Sequence, residues 1–95
     1  MNDRPGYAPT KEQMRNRLSR IEGQVRGVAR MVEEERYCIE VLAQISAIHA
    51  ALDKVAMGLV SDHTRECVIG AGDEGLRADR TDELIQAIDR LVARR

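Results

Sequence analysis

The chain contains no tryptophan and no phenylalanine, and its aromatic content is two tyrosines, Tyr7 and Tyr37. The large rings that often dominate a small core are absent, so aliphatic side chains and methionine must fill it. The 95 residues suffice for one domain, and a domain of this size hides a modest share of its surface. It is therefore expected to borrow buried area from a second copy of itself, with an ordinary small monomeric bundle as the alternative. Long hydrophobic runs are also missing: no stretch approaches the roughly 20 apolar residues that cross a bilayer. The opening Met1-Asn2-Asp3-Arg4-Pro5-Gly6 lacks the apolar segment of a secretory signal. A cytoplasmic location without membrane contact is the expectation. Cysteine is scarce, at two residues. In a reducing compartment these are expected to be thiols, which raises the question of metal or redox chemistry. There is no glycine-rich phosphate loop, nucleophile–base pair or carboxylate pair, so neither catalysis nor a small-molecule substrate is expected.

Charge of neither sign is in excess, with a formal net charge of −1, but it is unevenly spread. Between positions 11 and 30 there are six basic residues, Lys11, Arg15, Arg17, Arg20, Arg26 and Arg30, against Glu12 and Glu22. The balancing acids lie elsewhere, at Glu33-Glu34-Glu35 and from Asp73 to Glu83. A local basic patch on a near-neutral chain is an electrostatic footprint for nucleic acid, although arginines also solvate ordinary helix faces.

Residues 1–10, with Pro5, Gly6 and Pro9, read as a flexible N-terminal arm ahead of a single helical domain of residues 11–95. Thr10 and Gln13 have the spacing of a capping box. Met14, Leu18, Ile21, Val25, Val28 and Val32 then recur at steps of four and three, forming one apolar helical stripe with heptad spacing. Lys11, Arg15, Arg26 and Arg30 fall together on a flank away from it. Gly23 and Gly27 lie nearby, and each weakens a helix interior by roughly 1 kcal/mol; close approach of a partner backbone, protein or DNA, would explain them, and simple tolerance is the alternative. The acids Glu33-Glu34-Glu35 form a charged junction and suit the start of the next helix. A second stripe runs Val41, Ile45, Ile48, Leu52, Val55, Leu59 and predicts a long helix reaching about Val68. Gly70, Gly72 and Gly75 are expected to end it and form a loop. Asp79 is expected to cap a short last helix holding Leu84, Ile88 and Leu91. No strand pattern, repeat or low-complexity stretch appears. The expected fold is all-α: an antiparallel helical hairpin plus a short C-terminal helix, with two hairpins pairing as a dimeric four-helix bundle.

His63 and Cys67 are four apart, which on a helix puts both on one face. Cys38 stands at the other end of the same long helix. The 25 residues between Cys38 and His63 span roughly 37 Å in a continuous helix at 1.5 Å per residue. If the three share a metal ion, the site must draw on two chains. Two thiolates and an imidazole suit copper(I), or zinc(II) with a fourth ligand. The alternative is that the cysteines are small buried hydrophobes and that His63 is a surface residue beside Asp62 and Glu66. His49 has no Cys or His at ligand spacing and reads as surface or structural.

The run Arg17-Leu18-Ser19-Arg20-Ile21-Glu22-Gly23-Gln24-Val25-Arg26-Gly27, then Tyr37-Cys38, Gln44-Ile45-Ser46-Ala47 and His63-x-x-x-Cys67, resembles the copper-sensitive operon repressor family. That family also holds nickel/cobalt, formaldehyde and persulfide sensors, and the resemblance covers residues 11–92. It implies a disc-shaped dimer of dimers and a Cu(I) site between protomers. Cys38 would come from one chain, His63 and Cys67 from the other. Nickel/cobalt sensors resemble this pattern but carry His in place of Cys67 and an extra His in the arm. Formaldehyde sensors have Pro at position 2, here Asn2, and persulfide sensors lack the His. By the same resemblance Tyr37 and Glu83 surround the metal site, with Glu83 accepting from His63, and Arg17 and Lys54 contact operator DNA. Lys11, Arg15, Arg20, Arg26 and Arg30 extend that set from the charge pattern. The implied function is copper(I)-released repression. A persulfide-sensing repressor using Cys38 and Cys67, and a helical copper buffer without DNA contact, are the alternatives.

Overall fold

The computed structural model describes residues 6–93. A 3₁₀ turn at Ala8–Thr10 leads into α1 (Lys11–Glu33), followed by α2 (Cys38–His63), a π-helical turn (Thr64–Ile69) and α3 (Glu74–Ala93). Among the described residues there is no strand, as the apolar spacing predicts. The described residues divide into two compact units, one of residues 9–58 and one of residues 59–93 together with residues 6–8.

Within the first unit, α1 and the body of α2 form an antiparallel hairpin. Arg17, Arg20, Ile21 and Gln24 share one groove with Ala47, Ala50, Ala51 and Lys54. Met14 lies against Gly58 towards one end, and Val32 shares a hollow with Val41 and Leu42 at the other. Rising numbers on α1 thus meet falling numbers on α2. The reversal is a Schellman turn: the Arg36 N–H donates to Met31 O at 2.9 Å and the Glu35 N–H to Val32 O at 3.1 Å. Glu35 occupies the left-handed position at φ 56°, where glycine is the usual residue. The acidic run expected to open α2 instead closes α1, with Glu33 its last residue and Glu34 its C-cap. Arg36 offsets that unfavourable placement, lying 3.8 Å from the Glu34 carboxylate and 3.2 Å from that of Glu40.

The hairpin buries little by itself. Ile21, Ile48 and Val55 are 7%, 8% and 6% exposed, whereas Leu18, Val25 and Val32, one heptad apart on α1, remain 45%, 51% and 61% exposed. Among the described residues, half of the predicted α1 stripe therefore stays exposed. Thr10 is the N-cap of α1, but its side chain makes no capping hydrogen bond, so the expected capping box is not formed. It also ends the 3₁₀ turn, and its ψ of 12° departs from the extended backbone that aims a cap oxygen at the first turn.

In the second unit the helix reaches Ile69, but its last turn is π, not α. The Gly70 N–H donates five residues back to Arg65 O at 3.1 Å, and the Ala71 N–H to Val68 O at 3.2 Å. Thr64 Oγ1 donates to Val60 O at 2.6 Å where the change begins, a back-bond that bends helices. The start of α3 corrects the sequence reading. Asp73 is the cap, its Oδ1 accepting the Leu76 N–H at 2.8 Å, while Asp79 lies inside the helix and Gly75 in its first turn. The amides of a first turn have no helical partner, so a glycine there breaks nothing. The C-terminal helix is consequently 20 residues long and not short. Leu76, Leu84 and Ile88 are half-buried, and α3 packs against the π turn. No described helix is long and apolar enough to cross a membrane.

Candidate metal centre and nucleic-acid face

Cys38 is the first residue of α2 and His63 the last. Cys38 is exposed and lines an apolar hollow with Val32, Arg36, Val41 and Leu42 at the reversal. Tyr37, exposed beside it, starts the helix by accepting the Glu40 and Val41 N–H groups at 3.0 and 3.3 Å through its carbonyl. His63 and Cys67 are both half-buried, and both cysteines are free thiols. The sequence spacing treats His63 and Cys67 as one α turn. In the structure the helix type changes between them, so the wider π turn sets where Cys67 stands. Gly6 is buried and lies against the backbone of Asp62 and His63. Arg65 donates to Ser61 Oγ at 3.0 Å and Asp62 Oδ1 at 3.4 Å, on the solvent side of this segment.

Among the described residues, no group of three His, Cys, Asp or Glu side chains is placed to hold a metal ion within one chain. The three candidate donors stand apart along the chain: a thiol at the start of α2, and an imidazole and a thiol around its end. These donors fit a soft, low-coordinate ion shared between two copies. Glu83 is exposed on α3, and no hydrogen bond joins it to His63 in the protomer. His49 is exposed, in keeping with the surface reading.

The basic residues divide into two faces. Arg17, Arg20 and Lys54 come together along the groove between α1 and α2, which they line with Ala47, Ala50 and Ala51. Charges from two helices thus converge along one groove. Sequence periodicity on α1 alone does not reveal that convergence. Lys11, Arg15, Arg26 and Arg30 are exposed along α1, and Arg26 is partly offset by Glu22 at 3.3 Å. Gly27 has no atom within 4 Å of an added Cβ, and Gly23 meets only the Arg26 side chain at 3.9 Å. Among the described residues, no backbone therefore closes on those two glycines.

Residues 10–90 match the family described as metal-sensitive transcriptional repressor. The chain belongs to this family. Its class is transcriptional regulation, not enzymatic catalysis. Among family relatives, the copper-sensing transcriptional repressor RicR of Mycobacterium tuberculosis is 53% identical over 70 residues, covering 74% of this chain and 73% of RicR. The crystal structure of the copper-sensing repressor CsoR with Cu(I) from Geobacillus thermodenitrificans NG80-2 superposes with a TM-score of 0.84 at 46% identity, over 97% of this chain and 94% of that one. The nickel-responsive transcriptional regulator InrS superposes at 0.72 with 48% identity, over 83% and 89% of the two chains. Relatives that respond to different metals thus share one fold, so the choice of metal rests on donor residues more than on backbone.

Proposed function

We propose that the chain is a copper(I)-responsive transcriptional repressor, an oligomer that binds operator DNA without metal and leaves it when Cu(I) binds. The donor set carries this reading: two free thiols and one imidazole, Cys38, His63 and Cys67, split between the two ends of α2. Thiolates and imidazole select copper(I), which accepts low coordination numbers, over ions that want oxygen or a fourth ligand. The similarity to the copper-sensing RicR and to CsoR with Cu(I) supports the same choice.

In this reading Cys38 of one protomer joins His63 and Cys67 of another, within a dimer of dimers, and residues 11–95 act as one sensing and DNA-binding domain behind the arm of residues 1–10. Arg17, Arg20 and Lys54 hold phosphates at the α1/α2 groove, with Lys11, Arg15, Arg26 and Arg30 adding sequence-independent attraction. Glu83 accepts the second ring N–H of His63 when the imidazole is a ligand, beside Tyr37, and so ties α3 to occupancy. Metal and DNA binding are then reciprocally coupled, by about 1–3 kcal/mol.

The test is a titration of a DNA fragment from upstream of its own gene, with and without Cu(I), Zn(II) and Ni(II). Cu(I) should weaken the complex roughly 5–150-fold, and His63→Ala should preserve metal-free binding while blunting release. Absence of any sequence-specific complex would leave a copper buffer. Release by Ni(II) but not Cu(I) would overturn the choice of metal. The exposed Cys38 thiol favours one second reading, a persulfide sensor in which Cys38 and Cys67 cross-link between chains. In that case His63→Ala would leave the response intact.

A further inference from the structure

Two glycines flank the His63–Cys67 pair, and each sits where a side chain does not fit. A Cβ at Gly6 would lie 2.9 Å from Asp62 O and 3.0 Å from the Cα of His63. A Cβ at Gly70 would lie 2.6 Å from Glu66 O and 3.3 Å from Glu66 C. The obstructing atoms are backbone in both cases, so the neighbour cannot yield by rotating a side chain. Neither glycine has a positive φ, which means that both are required for space and not for a left-handed conformation. Gly70 closes the π turn through its N–H bond to Arg65 O at 3.1 Å, and that turn carries Cys67. Gly6 lies against the backbone that carries His63. In contrast, Gly72 and Gly27 have nothing within 4 Å of an added Cβ.

We infer that Gly6 and Gly70 are positioning residues for the metal centre: Gly6 seats the N-terminal segment on the His63 backbone, and Gly70 permits the π turn that places Cys67. This rests on the ligand assignment proposed above. A wedge at either glycine shifts a ligand backbone without removing a donor, so the metal should be held with the wrong geometry while the DNA-binding hairpin of residues 9–58 is unaltered. The π turn is the segment against which α3 packs. Displacing it therefore also disturbs the element that carries Glu83.

The experiment compares Gly6→Ala and Gly70→Ala with Gly72→Ala in the oligomer, after circular dichroism and sedimentation confirm helicity and assembly. Three readouts are taken: Cu(I) affinity by chelator competition, the sulfur and nitrogen shell of bound Cu(I) by X-ray absorption, and metal-free DNA affinity. Gly6→Ala and Gly70→Ala should each weaken Cu(I) binding about 10–100-fold, the range typical of residues that orient ligands. Both should lose nitrogen or sulfur scattering at unchanged metal-free DNA affinity, and Gly72→Ala should match the parent in all three. Wild-type Cu(I) affinity and shell in both wedged variants would overturn the inference. So would an equal loss in Gly72→Ala. The two contacts are independent, so if one variant fails to assemble the other still decides. His63→Ala and Cys67→Ser are run alongside. If these leave the copper shell untouched, the ligand assignment fails; if they alter it and the wedges do not, only the positioning role fails.

Discussion

Replacing Glu35 by glycine should stabilise the folded chain by about 1 kcal/mol. Glu35 holds the left-handed position of the α1 Schellman turn at φ 56°, a conformation that costs a residue with a Cβ roughly 1–2 kcal/mol. Glycine removes that cost but loses more freedom on folding, which returns roughly 0.5–1 kcal/mol. The substitution also removes a carboxylate from the negative end of α1, a gain of roughly 0.3–1 kcal/mol. Arg36 is not left unpaired, because its partners are Glu34 and Glu40. The three contributions sum to about 1 kcal/mol in favour of glycine, and Glu35→Ala separates them. Alanine drops the charge but keeps the strained φ, so it should gain no more than the electrostatic part, about 0.3–1 kcal/mol. Urea unfolding at one fixed protomer concentration measures the difference, since assembly makes the midpoint depend on concentration. An unchanged m-value licenses the comparison. If glycine destabilises, the turn is not strained as described. If alanine stabilises as much as glycine, charge and not backbone conformation limits this reversal.

Three further outcomes follow from the same geometry. Asp73→Ala should cost about 1 kcal/mol by removing the α3 cap, while Asp79→Ala should stay within about 0.5 kcal/mol; thermal melts showing the reverse order would return the helix start to Asp79. Gly27→Ala should stabilise α1 by about 1 kcal/mol, the interior cost of glycine. If DNA or a partner backbone uses that face, gel shifts or sedimentation will show weaker binding despite the higher melting temperature. Val25→Asp tests the uncovered heptad of α1. A truly solvated position would tolerate it within about 0.5 kcal/mol, whereas analytical ultracentrifugation should instead show loss of assembly, and retained assembly at wild-type stability would show that this stripe faces water.

The helical class and the hairpin were legible because two stripes of apolar residues keep one period over α1 and α2, and periodicity is a local property that tertiary packing rarely overrides in long elements. Boundaries were less so. The Glu33–Glu35 run looked like a helix start because acids favour that end, but the backbone hydrogen bonds of Glu35 and Arg36 make it a C-terminal turn whose usual marker, glycine, is missing. Gly75 looked like a loop residue and hid the Asp73 cap two positions earlier. In the candidate metal centre, residue types and spacing named candidate donors, and the length of α2 means that they share one ion only if two chains supply them. The roles of Gly6 and Gly70 could not be seen, because both depend on backbone approach. For Gly6 the approaching segment is more than 50 positions away in sequence. The convergence of Arg20 with Arg17 and Lys54 likewise needed the register between two helices, which one-helix periodicity does not supply.

Two kinds of incompleteness in the protomer have one remedy. The apolar stripe of α1 is half uncovered, with Leu18, Val25 and Val32 exposed, and the soft donors stand at the first and last residues of α2 and just beyond. A second antiparallel copy of the hairpin would cover the stripe, and the same alignment would set the start of one α2 beside the end of the other. On the proposed reading, the contact that completes the core also completes the metal site. An ion bound by donors from two chains favours the assembled state by mass action. Loss of assembly in Val25→Asp should therefore weaken copper affinity as well, although that residue is not among the candidate donors, and raising the protein concentration should restore it. Copper affinity that ignored protomer concentration in that variant would mean that the donors act within single chains, and the shared site would be refuted.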